Sequence, residues 1–177
     1  MADHVIATLA TVPVILTYLF YQLCRRGELQ DSLRAELRTL TSPAVGHDDV
    51  TVLSEPAILD ELPLLDALVM ETLRLHAPNP ARLRRVVPSA GLNLHGYFIP
   101  PDTIISSNAY CLHRNEEVFA RPFEWDPTKW RQLENSEPQS TDTSKLRKMR
   151  KWLWAFGSGP RICVGQHLAL QSRSRAQ

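Results

Sequence analysis

The chain has 177 residues, of which 44% are hydrophobic and 22% are charged. This composition suits one folded domain and excludes a chain that is disordered throughout. Thirteen prolines against seven glycines exclude a collagen-like sequence. The three cysteines are too few for a dense disulfide framework, and their odd number favours a reducing compartment or a thiol with a chemical role.

The net charge of +1 conceals an uneven distribution. Residues 1–144 carry a charge of −7, whereas the segment from Lys145 to Gln177 holds eight basic residues and no acidic one. A basic segment of this kind attracts nucleic acid, an anionic membrane surface or an acidic partner protein, or it forms an ordinary solvated face. Charge alone therefore leaves the partner open.

The N-terminal part begins with a long uncharged stretch. Val5–Cys24 contains twenty residues without a charge and ends at Arg25 and Arg26. Its length suits a transmembrane span or a buried helix of a larger protein, and it lacks the preceding basic segment of a secretory signal. Pro13 removes one helical hydrogen bond and predicts a kink. Glu28–Leu40 repeats leucine at helical spacing and predicts a second, amphipathic helix.

The remaining sequence predicts a loop, a helix, short strands and a further helix. A polar, proline-containing loop is expected at residues 41–60, and a helix at Leu62–His76. Short β-rich pieces fill residues 83–107, and Ala109–Phe119 is expected to be helical. The polar residues 135–144 predict a surface loop. The fold class indicated is mainly α with small β-sheets, an α+β fold.

The most informative segment is Phe156–Gly165, with the sequence FGSGPRICVG. Its glycines and proline predict a tight turn that places Cys163 just before a helix, where backbone N–H groups stabilise a thiolate. Arg161 adds positive charge nearby. A thiolate held in this way is a good ligand for iron. The alternatives are a buried structural cysteine and a phosphate-binding loop, which the missing Gly-Lys-Ser/Thr sequence disfavours.

This segment resembles the heme-binding loop of the cytochrome P450 family, Phe-x-x-Gly-x-Arg-x-Cys-x-Gly, at all of its fixed positions. The resemblance implies that Cys163 is the axial ligand of the heme iron and that Arg161 pairs with a heme propionate. It also implies that Phe156 packs near the sulfur, and that Gly159 and Gly165 let the backbone approach the porphyrin. We therefore expect a heme site in which Cys163 is the metal ligand.

A second resemblance lies upstream, in the sequence ETLR. Glu71 and Arg74 match the Glu-x-x-Arg of the family's helix K, and their spacing places carboxylate and guanidinium on one helix face. The family completes this structural network with an arginine after a proline; Lys129 stands at that position here, and the adjacent Arg131 is an alternative. A lysine is a point charge that cannot form the two parallel hydrogen bonds of arginine. The role expected for these residues is structural.

Further residues are assigned through the resemblance alone. The sequence ARLRRVV is similar to the family segment whose arginine reaches a heme propionate, which implies that role for Arg82 or, next, for Arg85. Val5–Cys24 is similar to the family's helix I, which crosses the distal heme face, and this favours a buried helix over a membrane span. The oxygen-activation segment of that helix matches only at Ala7 and Thr11, whereas Ala10 replaces the usual acid. Thr11 is therefore either the group that orients water or dioxygen, or an ordinary helical threonine.

The resemblance implies a partial cytochrome P450 fold that runs from helix I to the start of helix L. Because the helices before helix I and the terminal hairpin of the family are not matched, we expect a truncated heme-binding domain with impaired activity. The expected divisions are residues 5–40 for helices I and J, 62–76 for helix K, 83–107 for the β-rich part, 156–171 for the heme loop and the following helix, and 172–177 for a tail outside the family pattern.

The function that the resemblance implies is that of a heme-thiolate monooxygenase. Such an enzyme uses heme b (iron protoporphyrin IX) and dioxygen to oxidise a small organic substrate, with electrons supplied from NADPH through a reductase. Nucleic acid is not an expected partner, and membrane association is an open possibility. The expected location is intracellular, by family analogy at the endoplasmic reticulum membrane but without the usual N-terminal anchor. The alternative is a non-catalytic fragment that binds a membrane or a partner protein.

Overall fold

The computed structural model describes residues 2–39, 62–131 and 141–172. The helices, in chain order, are α1 (Ala2–Cys24), α2 (Gly27–Arg38), α3 (Pro63–Leu75), α4 (Ala109–Leu112), α5 (Thr128–Arg131), α6 (Thr141–Trp152) and α7 (Gln166–Ser172). The strands are β1 (Arg82–Val86), β2 (Leu92–Leu94), β3 (Tyr97–Ile99) and β4 (Ile104–Asn108), and a 3-10 turn covers Gly159–Arg161. The predicted α+β class, mainly helical with small sheets, is confirmed.

Helix α1 runs through Pro13 as one continuous helix. Its C-terminal half contributes Leu19 and Leu23 to the core, while Leu9 and Phe20 on other faces are 68% and 47% exposed. No helix in the described ranges is both long enough and apolar enough to cross a membrane. The long uncharged stretch therefore forms a helix that is buried along one face and exposed along another.

Helix α3 is the central helix of the described structure. Its residues Leu68 and Leu73 are buried together with Leu19 and Leu23 of α1, because apolar residues recur at helical spacing on the facing surfaces. The first backbone N–H groups of a helix lack partners within it, and here the Glu36 carboxylate of α2 accepts those of Leu64 (2.7 Å) and Leu65 (3.0 Å). Helix α2 thus fixes the start of α3.

A second apolar cluster packs on another side of α3. It brings Ala67 of α3 together with Phe119, Trp130 of α5 and Met149 of α6, which are almost fully buried. Burial of Met149 explains why α6 forms in a segment that is otherwise polar and basic. The loop predicted for residues 135–144 is therefore wrong at residues 141–144, which are helical. Residues 135–140, like the loop predicted at 41–60, lie outside the described part of the chain.

The chain after β4 is less helical than the sequence predicts. Only Ala109–Leu112 is α-helical, with the Asn108 side chain accepting the Cys111 N–H at 2.8 Å as its N-cap. The Asn115 side chain then accepts the Glu117 N–H at 2.9 Å and stabilises a turn. Local side-chain bonds of this kind compete with helix formation, so the helix expected at residues 109–119 ends early.

Two small antiparallel sheets fill the β-rich region. Strand β1 pairs with β4, from Arg82 opposite Asn108 to Val86 opposite Ile104. Strand β2 pairs with β3 through a tight turn in which His95 and Gly96 have φ of 49° and 86°. Two consecutive residues with positive φ match the twist of a two-residue hairpin. The β1–β4 sheet bears on the site because Leu83 of β1 lies next to Gly157 of the segment Phe156–Gly165, here called the cysteine loop.

Candidate heme site

The segment Phe156–Gly165 folds back on itself to present Cys163. Gly157 and Gly159 have φ of 73° and 69°, a left-handed conformation that glycine adopts without strain. The Gly157 N–H donates to the Trp154 carbonyl at 3.1 Å, and the Cys163 N–H donates to the Phe156 carbonyl at 2.9 Å. The two ends of the loop are thereby held together, with Cys163 opposite Phe156.

The Cys163 thiol is exposed and is not part of a disulfide. The Cys163 carbonyl accepts the Gln166 N–H at 3.2 Å, so the cysteine stands immediately before helix α7. A Cβ placed on Gly165 would lie 3.8 Å from the Cys163 sulfur. Gly165 therefore lies next to the sulfur and has no side chain that would cover it.

An apolar groove lies beside this loop. It is lined by α1, α3 and α7 together with Phe156, and it is partly open to solvent. Leu19 of α1, Leu73 of α3 and Leu170 of α7 are among its walls, and Thr11 contributes a hydroxyl group to the lining. The Thr11 hydroxyl donates to the Ala7 carbonyl at 2.8 Å.

The candidate arginines belong to the cysteine loop and to strand β1. Arg161 belongs to the exposed 3-10 turn of the loop, and Arg82 is exposed at the start of β1. The two segments are neighbours, because a Cβ on Gly157 would lie 3.6 Å from Leu83 and 3.8 Å from the Arg161 carbonyl oxygen. Arg85 is only half-exposed and donates to the Arg84 carbonyl at 2.8 Å. Of the three candidate arginines, Arg82 and Arg161 are therefore the more exposed.

The residues present fit heme. A porphyrin is a broad apolar ring with a metal at its centre and carboxylates at one edge, so it needs an apolar wall, a metal ligand and cations. The groove supplies the apolar wall, Cys163 supplies an open sulfur, and Arg82 and Arg161 supply exposed positive charge. Thr11 lines the same groove, whereas Arg85 is engaged with its own strand.

Glu71 and Arg74 form a fully buried ion pair on α3. The guanidinium donates to both carboxylate oxygens at 2.8 Å, and neither side chain is exposed. The remaining Arg74 N–H groups donate to the carbonyls of His113 (2.9 Å), Pro122 (2.7 Å) and Glu124 (3.0 Å). Because a buried charge is costly unless its hydrogen bonds are satisfied, this arrangement ties α3 to the segment 113–124.

Lys129 takes part in the same buried cluster, and Arg131 is exposed instead. The Lys129 ammonium donates to Glu71 Oε1 at 3.2 Å and to the carbonyls of Arg121 (3.1 Å) and Glu124 (2.8 Å). Burial lowers the pKa of Lys129, and the Glu71 carboxylate opposes that change. A lysine thus uses its three donors where the family uses arginine.

Trp130 is the member of this cluster that the sequence analysis did not identify. Its indole N–H donates to Glu71 Oε2 at 2.8 Å, next to the Lys129 bond to Oε1. Together the two residues give Glu71 a pair of donors, as one arginine fork would. The available signal was the tryptophan itself, since a buried indole N–H requires an acceptor.

Comparison with known proteins identifies the family. The cytochrome P450 family model matches residues 1–173 of the chain. The chain is 36% identical to the cytochrome P450 monooxygenase orf2 of Aspergillus niger, over 95% of its own length. It is 32% identical to the cytochrome P450 monooxygenase avaI of Aspergillus versicolor over its whole length, and 36% identical to azaI of Aspergillus niger over 95% of it. The chain belongs to the cytochrome P450 family.

The chain matches only part of each relative. It spans 30% of the length of orf2, 43% of avaI and 36% of azaI. The family is that of heme-containing oxidoreductases, and the prediction of a cytochrome P450 made from the cysteine loop is confirmed.

Proposed function

We propose that Cys163 provides the axial thiolate of a bound heme and that the chain is the heme-binding part of a monooxygenase acting on a small organic molecule. The observation that carries this proposal is the open Cys163 sulfur beside Gly165, on a loop whose Phe156 also lines the apolar groove. A ligand atom and a hydrophobic wall are thus parts of one short segment.

The chain's own residues have separate tasks around the heme. Gly157 and Gly159 permit the turn that presents the Cys163 sulfur, and Phe156, which lines the groove, is assigned to pack beside the heme. Arg161 and Arg82 balance the charge of the propionates. When bound, heme b supplies dioxygen activation, in which one oxygen atom enters the substrate and the other becomes water.

The groove walls serve to exclude water and to direct a proton. Leu19, Leu73 and Leu170 present apolar surface, which limits the access of bulk water along these walls. The Thr11 hydroxyl already donates to the Ala7 carbonyl, so its oxygen is left to accept a hydrogen bond from a water molecule. We assign Thr11 the task of holding that proton donor in place.

Helix α6 is the proposed docking surface for the redox partner that delivers electrons from NADPH. Its basic residues include Lys145, Arg147 and Lys151, all of them exposed. Two further basic residues are engaged by the fold, since Lys148 donates to the Glu117 carbonyl at 3.0 Å and Arg150 lies 3.7 Å from Asp66. A positive surface of this kind accelerates association with an acidic partner.

We further propose that this 177-residue chain by itself couples oxygen consumption poorly to substrate oxidation. Apolar residues of α1 are exposed to solvent, Ile6 by 64% and Leu9 by 68%. The groove beside this helix is also partly open. Water that reaches the reacting side diverts activated oxygen from the substrate.

The proposal is tested by titrating heme into the full chain and recording the absorption of the reduced carbon monoxide complex. We expect the red-shifted Soret band of thiolate ligation, with loss of this band in Cys163→Ser. Cys111→Ser is the matched control, because Cys111 is also an exposed free thiol, and it should leave the band unchanged. A Soret band that is unaltered by Cys163→Ser, or one of the imidazole type in the unmodified chain, contradicts the assignment.

A further inference from the structure

His113 is a buried imidazole with a defined partner on each nitrogen. Its Nδ1 lies 2.8 Å from the Arg74 carbonyl oxygen, and its Nε2 lies 2.7 Å from the Trp154 backbone nitrogen. A backbone N–H can only donate, so Nε2 must accept from Trp154 and Nδ1 must carry the proton that goes to Arg74. The ring is therefore neutral, with a single tautomer that satisfies both partners.

One side of His113 is fixed to the end of helix α3. The Arg74 carbonyl is among the last of the helix, where a carbonyl has no N–H donor within the helix, and His113 supplies that donor. In return the Arg74 guanidinium donates to the His113 carbonyl at 2.9 Å. The neighbouring Arg114 donates to the Leu75 carbonyl at 2.9 Å, so two consecutive residues cap α3. His113 is thus joined to the buried Glu71–Arg74 pair.

The other side of His113 is fixed to the base of the cysteine loop. The Trp154 N–H is held by the imidazole, while the Trp154 carbonyl accepts the Gly157 N–H at 3.1 Å. Two residues after Trp154, the Phe156 carbonyl accepts the Cys163 N–H at 2.9 Å. Three hydrogen bonds, joined by short stretches of backbone, therefore connect His113 to Cys163.

We propose that His113 is a positioning residue. Its imidazole accepts the Trp154 N–H and thereby holds the cysteine loop in a fixed position relative to the buried Glu71–Arg74 pair. Its consequence for heme ligation rests on the proposed function, but the connection itself is a property of the chain without heme. Phe119 packs against the ring in a T-shaped arrangement, with centroids 6.5 Å apart, and helps to hold the imidazole in this orientation.

The charges around the ring favour its neutral form. Burial lowers the pKa of His113 to about 4, and the positive charges of Arg74 and Arg114 act in the same direction. The hydrogen bond to the Arg74 carbonyl and the negative charge of Glu71 act against them. The acceptor at Nε2 is therefore available to Trp154 at neutral pH.

The test compares two variants that each keep one half of the imidazole. Gln at position 113 places an acceptor near the position of Nε2, whereas Asn places a donor near that of Nδ1. We expect His113→Asn to speed amide hydrogen exchange at Trp154 and Cys163 by about tenfold or more in the heme-free chain, and His113→Gln to change it far less. His167→Asn, an exposed residue of α7, is the matched control and should have no effect.

Equal exchange in the two His113 variants would reduce His113 to a packing residue and overturn the proposal. A nitrogen NMR spectrum of the unmodified chain provides a second measurement that needs no variant. The expected result is a proton on Nδ1 and none on Nε2 near neutral pH, and a proton on Nε2 would also overturn the proposal.

With heme added, His113→Asn should lose more of the thiolate-type Soret band than His113→Gln. If the unmodified chain binds no heme but the exchange pattern holds, the proposed function fails while the positioning role stands.

Discussion

The cluster around Glu71 and the loop around Cys163 differ most in their exposure to solvent: the cluster is buried and the loop is exposed. Glu71 and Arg74 are completely removed from solvent, and every donor described for Arg74 has an acceptor. Cys163 is exposed, and its loop relies on glycine conformations and a few backbone hydrogen bonds. The difference indicates that the buried cluster supplies the rigidity, whereas the loop stays open for a ligand. His113 is the link between them.

The largest effect is expected at the buried pair. Arg74→Ala leaves the Glu71 carboxylate buried with fewer donors, and we expect a loss of about 3–5 kcal/mol in the free energy of unfolding. Arg34→Ala is the matched control, since Arg34 and Asp31 have the same spacing but are 57% and 78% exposed. That change should cost no more than about 1 kcal/mol. Urea unfolding measures both, and similar losses in the two variants would contradict the comparison.

The next effect is a pH dependence that comes from His113. Burial lowers the pKa of His113 from 6.5 to about 4, so the unfolded chain binds more protons than the folded chain between these values. The contribution of neutral His113 to the free energy of unfolding is therefore fully present above pH 6.5. It is lost as the pH is lowered toward 4, by roughly 3 kcal/mol for this residue.

His113→Gln isolates this contribution from that of the carboxylates, which also titrate at the acidic end of the window. The Gln variant should show a shallower loss of unfolding free energy between pH 6.5 and 4.5. Unfolding curves collected across this range for the two proteins give the comparison. Identical slopes would mean that His113 titrates normally in the folded chain.

The smallest effect is expected in the loop. Gly157 has a φ of 73°, and an added Cβ would meet only ordinary contacts at 3.6 Å and 3.8 Å. Gly157→Ala should therefore cost about 1 kcal/mol through backbone strain alone, and it should weaken heme binding because the loop shifts. Gly27→Ala, in the first turn of α2 with open space around it, is the control and should cause no loss. A stable Gly157→Ala chain with unchanged heme affinity would show that the turn is not needed.

The sequence was most informative where local chemistry alone determines the structure. The helices at 2–24 and 63–75 follow from uncharged length and helical spacing, and the spacing of Glu71 and Arg74 already places them on one face. The tight turn before Cys163 follows from its glycines and proline.

What the sequence did not indicate depends on distant partners. Trp130 reaches Glu71 across 59 positions, and His113 joins Arg74 to Trp154 across intervals of 39 and 41. The start of α6 is polar and gives no periodic signal, because the helix depends on Met149 packing against Phe119 and Trp130. Such contacts exist only once the chain is folded, so local propensity does not contain them.

The central claim, that the Cys163 sulfur binds iron, is tested most directly by X-ray absorption spectroscopy of the heme-loaded chain at the iron edge. The account predicts one sulfur in the first coordination shell, present in Cys111→Ser and absent from Cys163→Ser. An iron with only nitrogen and oxygen neighbours in the unmodified chain, or a sulfur signal that persists in Cys163→Ser, would contradict it.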